Sequence, residues 1–303
     1  MKFSVVVPVY NVEAYLDDCL TSLQAQDFVD FEVICVNDGS TDHSRDILSA
    51  WESKLPQMKV IDRENGGLSA ARNTGLAAAT GGYVVFVDSD DWVEPSMLGR
   101  LNDEIDGADM VCFACRRTDN AAFDTLVAEQ FDGWSYYNRH ALDARVVPFV
   151  CVWQRCYRRE FLLENNLSFR EGILHEDNEF TPRVCLKAKL VRVIPDVLYD
   201  YRVRPGSIMT TRGLRSKESI ILISNELSEM FDREIGIDKT IVYRSLTQCY
   251  QMAFIGSNKE EDRYLSTRVN WKDYYRVSRT KLRHRINYLA LRLSPVLFRL
   301  IDK

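Results

Sequence analysis

The chain has 303 residues, 46% hydrophobic and 27% charged, an ordinary globular composition with apolar material for one large core or for a main domain plus a smaller one. No apolar run approaches the roughly 18 residues of a membrane-spanning helix, and the strand-like start Met1-Lys2-Phe3-Ser4-Val5 lacks a signal-peptide cleavage site, so the cytosol is the expected compartment. The net charge of −5 hides an asymmetry: residues 212–303 carry 18 Lys+Arg against 11 Asp+Glu and residues 1–211 carry 21 against 33, which points to two regions with different surroundings.

Phe3 to Val9 is a continuous, largely β-branched run, expected as a strand buried on both faces. Tyr15, Leu16, Cys19, Leu20 and Leu23 then recur with helical spacing. Phe31 to Val36 is a second buried strand ending in the turn Asn37-Asp38-Gly39-Ser40, and Thr41 or Asp42 is placed to cap a helix carrying Ile47, Leu48 and Trp51. Met58 to Ile61 reads as a third strand, Leu68 to Ala79 as an Ala-rich helix closed by Gly81-Gly82, and Tyr83 to Val87 as a fourth strand running into Asp88-Ser89-Asp90-Asp91. Glu94-Pro95 opens another helix and Asp109 to Ala114 is a fifth strand. Residues 121–211 loosen into mixed short elements, and beyond residue 213 the chain reads as helices. Strands alternating with helices imply a mostly parallel α/β sheet covered on both faces. Ligands bind such sheets at the carboxyl ends of the strands, where Tyr10-Asn11, Asn37-Asp38 and Asp88 to Asp91 all fall.

The eight cysteines sit mostly in apolar segments and are expected as buried, reduced thiols. Cys112-Phe113-Ala114-Cys115 has metal-ligand spacing, but no second Cys/His pair accompanies it and a strand would turn the two thiols to opposite faces.

Asp88, Asp90 and Asp91 end a strand that is otherwise wholly apolar. Neighbouring carboxylates raise one another's pKa unless a cation joins them, and hard divalent ions such as Mg²⁺ or Mn²⁺ take oxygen ligands. The plainer alternative is a solvated loop whose Asp91 caps the next helix.

Four segments in order, Val5-Val6-Val7-Pro8-Val9-Tyr10-Asn11, Val36-Asn37-Asp38-Gly39-Ser40-Thr41-Asp42, Asn65-Gly66-Gly67-Leu68-Ser69-Ala70-Ala71-Arg72-Asn73-Thr74-Gly75 and Asp88-Ser89-Asp90-Asp91, resemble family 2 glycosyltransferases over residues 1 to about 120. The resemblance implies the GT-A fold. Taken with the change of charge near residue 211, it divides the chain into a catalytic domain at 1–211, with a nucleotide-binding half at 1–120 and an acceptor half at 121–211, and a helical region at 212–303. It also implies a nucleotide-diphosphate sugar donor, with uridine preferred, and a carbohydrate or lipid-linked acceptor of bacterial polysaccharide synthesis. Residue by residue, it has Pro8 and Tyr10 lining the nucleoside pocket, Asp38 bonding the base, Asp88 beside the ribose, Asp90 holding Mg²⁺ or Mn²⁺, and Arg72 near the diphosphate or steadying the aspartate loop. For Asp38 the alternative is a simple turn-former, and for Arg72 an exposed helix arginine.

His175-Glu176-Asp177-Asn178-Glu179-Phe180 opens a helix, where acidic residues suit the dipole. The same resemblance places a catalytic base here, Asp177 foremost and Glu176 second, to take the acceptor hydroxyl's proton in an inverting transfer. Trp153, in Trp153-Gln154-Arg155-Cys156-Tyr157-Arg158, resembles a stretch of members that add single sugars to surface glycans; lysine usually stands where Arg155 does. An exposed Trp153 would stack on an acceptor sugar, and a buried one would be core. Tyr201-Arg202-Val203-Arg204-Pro205-Gly206-Ser207 resembles the loop that closes on the diphosphate, with Arg202, Arg204 and Ser207 as its donors, or else a solvated turn.

Residues 281–303 hold six Lys/Arg and one Asp among regularly spaced leucines and isoleucines, suiting an anionic membrane surface or a helix packed on the protein. Two other functions fit less well. A sugar-nucleotide pyrophosphorylase would carry a Gly-rich loop where Tyr10-Asn11-Val12-Glu13 stands, and a non-catalytic sugar-nucleotide or glycan-binding module would have no use for the Glu176-Asp177 pair. No motif points to nucleic acid.

Overall fold

The computed structural model describes residues 1–119, 126–142, 150–203 and 213–301. The chain forms two compact units, Met1–Gly172 with Phe180–Arg204, and Ile173–Glu179 with Pro205–Lys303.

In the first unit β1 (Phe3–Val9), α1 (Leu16–Gln24), β2 (Phe31–Asn37), α2 (Ser44–Glu52), β3 (Met58–Asp62), α3 (Leu68–Ala78) and β4 (Tyr83–Phe86) follow the predicted alternation closely. The helix expected at Glu94-Pro95 starts later. Trp92–Val93 form a short strand, β5, the Glu94 N–H donates to the Leu198 carbonyl, and α4 begins only at Met97 (Met97–Glu104). After these come β6 (Met110–Arg117), β7 (Glu129–Phe131), α5 (Gly133–His140), a 3-10 turn at Val152–Gln154, β8 (Arg155–Arg158), α6 (Arg159–Glu164), α7 (Glu176–Lys187) and β9 (Val191–Tyr201). The first four residues of α7 belong to the second unit.

The strands join in one sheet of order β3-β2-β1-β4-β8-β6-β9-β5, with β7 also paired to β9. It is mostly parallel and flanked by helices: only β8, β5 and β7 run against the others. Every residue of β1 and β2 is buried, as their largely apolar sequences favour, and the polar Ser4, Glu32 and Asn37 among them are hydrogen-bonded. The chain leaves β1 toward β2 and β3 on one side and returns to β4 on the other, so the strand order reverses between β1 and β4. Such a switch point opens a crevice at the carboxyl ends. Pro8 lies beyond Val6↔Phe86, the last β1–β4 pair, where the ladder to β4 has already ended.

Helix α3 packs against β1 so closely that a Cβ on Gly75 would stand 2.3 Å from Val6 Cγ1. That contact brings the helix start, and Arg72 one turn into it, beside the crevice. All eight cysteines are free, and Cys112 and Cys115 are both buried in β6.

The second unit contains, among its described residues, α8 (Leu214–Arg233), α9 (Thr240–Ala253), α10 (Lys259–Arg268), α11 (Trp271–Ser278), α12 (Leu282–Leu293) and α13 (Pro295–Ile301). Its core includes Ile221, Leu227, Phe231, Leu246, Tyr250 and Tyr274, with Tyr250 stacked on Tyr274 at 4.6 Å. The basic tail is two helices, since Pro295 takes the first position of α13, where its missing N–H costs nothing. No described helix is long and apolar enough to cross a membrane.

Candidate functional site

Three loops meet at the carboxyl edge of the first unit. After β1, Tyr10 is exposed and Asn11 takes a left-handed φ of 51°, its Oδ1 accepting the Thr41 N–H at 2.8 Å. Neither Thr41 nor Asp42, the expected caps, is the cap residue of α2: His43 holds that position without a side-chain cap bond, while the Asp42 carboxylate just ahead of it accepts the N–H groups of Ser44 at 2.9 Å and Glu13 at 3.0 Å. The β1 and β2 loops therefore hold each other through side-chain oxygens.

Asp38 follows β2 and is 2% exposed. Its carboxylate accepts from the Arg63 guanidinium at 2.6 Å, from Gly66 N–H at 3.0 Å and from Gly67 N–H at 2.8 Å. Its own carbonyl accepts from Asn65 Nδ2 at 3.0 Å. Gly67 has φ +87°, which bends the loop so that successive N–H groups face the carboxylate, next to the positive start of α3. Asp38 is thus more than a local turn-former: it anchors residues 63–67. Arg63 did not stand out in the sequence, although a cation just past the end of a parallel strand is a signal that could have found it.

The aspartate loop after β4 is held from both sides. Arg72, 1% exposed, donates to Asp88 Oδ1 at 2.7 Å and lies over the Phe169 ring. It is therefore not an exposed helix arginine: its guanidinium is engaged with the aspartate loop. Asp91 is also buried: Oδ2 accepts from the Tyr199 hydroxyl at 2.7 Å and Oδ1 from the Arg202 N–H at 2.7 Å. It caps no helix. Burial, then the charges of Asp90 and Asp88, push its carboxyl well above the usual range against those two hydrogen bonds. Tyr199 also accepts the Asp88 N–H at 3.1 Å, so one phenol ties the loop's first and last carboxylate residues. Nothing in the sequence marks Tyr199, which reaches the loop because β9 pairs with both β6 and β5.

Arg202 lies at this loop with its guanidinium engaged. It donates to the Asp90 carbonyl at 2.9 Å and Asp18 Oδ2 at 2.7 Å, with the Tyr15 ring 5.1 Å and the Trp92 ring 4.7 Å away. Arg204 and Ser207 lie outside the described residues. Trp153 requires a correction to the reading as an exposed sugar platform. It is 3% exposed, stacked on Tyr199 at 4.4 Å and on Tyr201 at 5.5 Å, so it packs beneath the loop. The neighbouring Arg155 is buried too, donating to Cys151 O and Tyr136 Oη.

The oxygens of Asp88 and Asp90 suit a hard divalent cation, whereas both oxygens of Asp91 have structural work. Among the described residues no group of three His, Cys, Asp or Glu side chains is arranged to hold a metal. Mg²⁺ commonly takes only one or two carboxylates, with phosphates and water completing its shell.

Glu176 and Asp177 belong to the second unit, in the first turn of α7. Glu176 is buried and Asp177 half-buried. The preceding residues are fastened to α8: Leu174 N–H donates to Ser219 Oγ at 3.1 Å, and the His175 ring lies 2.7 Å from Ser216 Oγ. His175 has φ 63°, a left-handed conformation uncommon for a non-glycine residue, immediately before the acidic pair.

The family model for glycosyl transferase family 2 matches residues 4–164. Glycosyltransferase EpsJ of Bacillus subtilis is 35% identical over 215 residues, 68% of this chain and 62% of EpsJ, so the chain spans about three fifths of that relative. Glycosyltransferase YibD of Escherichia coli is 30% identical over 262 residues, 82% of this chain and 75% of YibD. Among solved structures, residues 1–349 of TarS from Staphylococcus aureus, in complex with UDP-GlcNAc, superpose with a TM-score of 0.78 at 24% identity, covering 100% of this chain and 90% of that one. The sheet order, the aspartate loop at the switch point and these matches agree: the chain belongs to glycosyl transferase family 2.

Proposed function

We propose that the protein is an inverting, metal-dependent glycosyltransferase of bacterial polysaccharide biosynthesis. It moves a sugar from a nucleotide-diphosphate donor, a UDP-sugar foremost, to a hydroxyl of a carbohydrate or lipid-linked acceptor. The observation that carries this reading is the aspartate loop at the switch point, with Asp88 held by Arg72 and Asp91 sunk beneath it. Names support it: EpsJ and YibD are called uncharacterized glycosyltransferases, and the TarS fragment was solved with UDP-GlcNAc.

In this reading Pro8 and Tyr10 border the nucleoside, the loop held by Asp38 receives the base, and Asp88 meets the ribose. Asp90 would hold Mg²⁺ or Mn²⁺, which would supply positive charge to the diphosphate oxygens. Arg202 keeps the aspartate loop in shape. The acceptor oxygen bonds to the anomeric carbon as the bond from that carbon to the diphosphate oxygen breaks. The electron pair leaves with the diphosphate, and the hydroxyl proton passes to Asp177, the first candidate for the base, with Glu176 the second. The reading places the enzyme in the cytoplasm, peripheral on the inner face of the membrane that carries lipid-linked acceptors.

The test is a donor panel scored by release of nucleoside diphosphate. Release from one UDP-sugar, stopped by chelator and by Asp90→Ala, is the expected result. Undiminished turnover in chelator would remove the metal from the reading, and no release from any nucleotide sugar would remove the transferase.

A further inference from the structure

The last two helices carry their apolar stripe on the outside. In α12 the large apolar residues Leu282, Ile286, Leu289 and Leu293 are exposed, from 44% for Ile286 to 77% for Leu293, while the inward face holds His284, Asn287, Ala290 and Leu291. At about 100° per residue, the four exposed positions lie within roughly 60° of one another. Helix α13 adds Val296, Leu297, Leu300 and Ile301, all exposed, and buries Phe298. Eight of the twenty exposed large apolar side chains of the described residues therefore fall within residues 282–301, whereas the remainder are scattered.

The charges are arranged around this stripe. Lys281, Arg285 and Arg292, all exposed, gather on one side of α12, roughly 70–110° from the stripe's centre at helical spacing, Arg292 with its guanidinium 4.8 Å over the Trp271 ring, and Arg283 lies on the other. Residues 281–301 contain no Asp or Glu. Arg299 is not part of the set, since Asp262 binds it at 2.8 Å.

We propose that the outer face of α12 and α13 docks on an anionic lipid bilayer, lying in the interface with its leucines and isoleucines at the acyl boundary and the arginines at headgroup level. The proposal deepens the peripheral-membrane reading above and rests on it for the enzyme's location only. Charge complementarity selects the occupant. An exposed apolar stripe flanked by cations without a carboxylate matches a surface of anionic phosphates over hydrocarbon. A second copy of the chain matches poorly, because two-fold pairing of this face sets cation against cation.

The experiment is sedimentation of the full chain with phosphatidylcholine vesicles, with and without phosphatidylglycerol, at low and high salt. Binding should require phosphatidylglycerol and fall as salt rises. The double substitution Ile286→Glu with Leu289→Glu should weaken partitioning at least about tenfold while leaving the melting temperature and nucleotide release unchanged, because both side chains already face solvent. Lys281→Glu with Arg285→Glu should remove the dependence on phosphatidylglycerol. Two results would overturn the proposal: wild-type protein that ignores anionic vesicles, or a wild-type dimer that Ile286→Glu with Leu289→Glu converts to monomer. Vesicle binding without nucleotide release from any donor would reject the transferase reading and leave this one standing.

Discussion

Replacing Asp38 by Ala separates a side chain that merely shapes a turn from one that organises the donor loop. The carboxylate, 3% exposed, accepts from Arg63, Gly66 N–H and Gly67 N–H. A hydrogen bond to a charged group contributes about 1.5–3 kcal/mol. The sum is discounted here, because Gly66 and Gly67 are exposed and their N–H groups can turn to water. We expect a loss of about 2–4 kcal/mol for Asp38→Ala, and about half that for Asp38→Asn, whose amide keeps one acceptor but turns an N–H toward donors. At about 2–4 °C per kcal/mol, the alanine variant should melt roughly 5–15 °C lower. Thermal melting with and without UDP and Mn²⁺ measures this, and titration calorimetry should show UDP binding weakened about tenfold or more. Asp38→Ala protein with the wild-type melting temperature would refute the reasoning. A variant that melts lower yet binds UDP normally would confine Asp38 to anchoring residues 63–67.

Asp177→Asn should lower turnover by about 10²–10⁴-fold and leave UDP affinity intact, and wild-type-like transfer would end the base assignment. Tyr199→Phe removes the donor to Asp91 and the acceptor for Asp88 N–H, at a cost of about 1–3 kcal/mol. Since Asp91 is already pushed up by burial and by Asp90 and Asp88, losing that donor raises it further, and thermal melting should record the loss of stability. Glu32 provides a check on stability away from the site. Burial pulls its carboxyl upward, but hydrogen bonds from Lys59, Thr80 and Ser4 prevail and bring it from 4.5 to about 2. Its contribution is therefore complete above pH 4.5 and is lost as pH falls toward 2, a loss of about 2 kcal/mol after discounting for the half-exposed Lys59. Glu32→Gln should be less stable at neutral pH and flatter in acid, as urea melts at a series of pH values will show.

Much of the first unit was legible because parallel strands buried on both faces leave an unmistakable trace, as in Val5-Val6-Val7 and Val84-Val85-Phe86, with polar residues where each strand ends. The alternation thus located β1 to β4 and put Tyr10, Asp38 and Asp88 on one edge. Trp153 shows the limit of that legibility. An aromatic in a mixed segment is equally a platform or a core residue until its neighbours are known, and Tyr199 and Tyr201 decided for the core. The helix start after Glu94 slipped because β9, distant in sequence, took Trp92 and Val93 into the sheet first.

The sequence by itself determined the α/β alternation, the ligand edge and the resemblance that ordered its motifs, because periodicity and strand-end polarity are local properties of the chain. Only the tertiary structure decided how Asp91 and Asp38 are held there. Asp91 became an anchor through Tyr199 and Arg202, residues more than a hundred positions away, and Asp38 an anchor through Arg63 and two glycine N–H groups. The apolar residues of α12 were visible as a helical stripe in either setting. Which face of a helix meets solvent depends on what packs against it, and that only the folded chain decides.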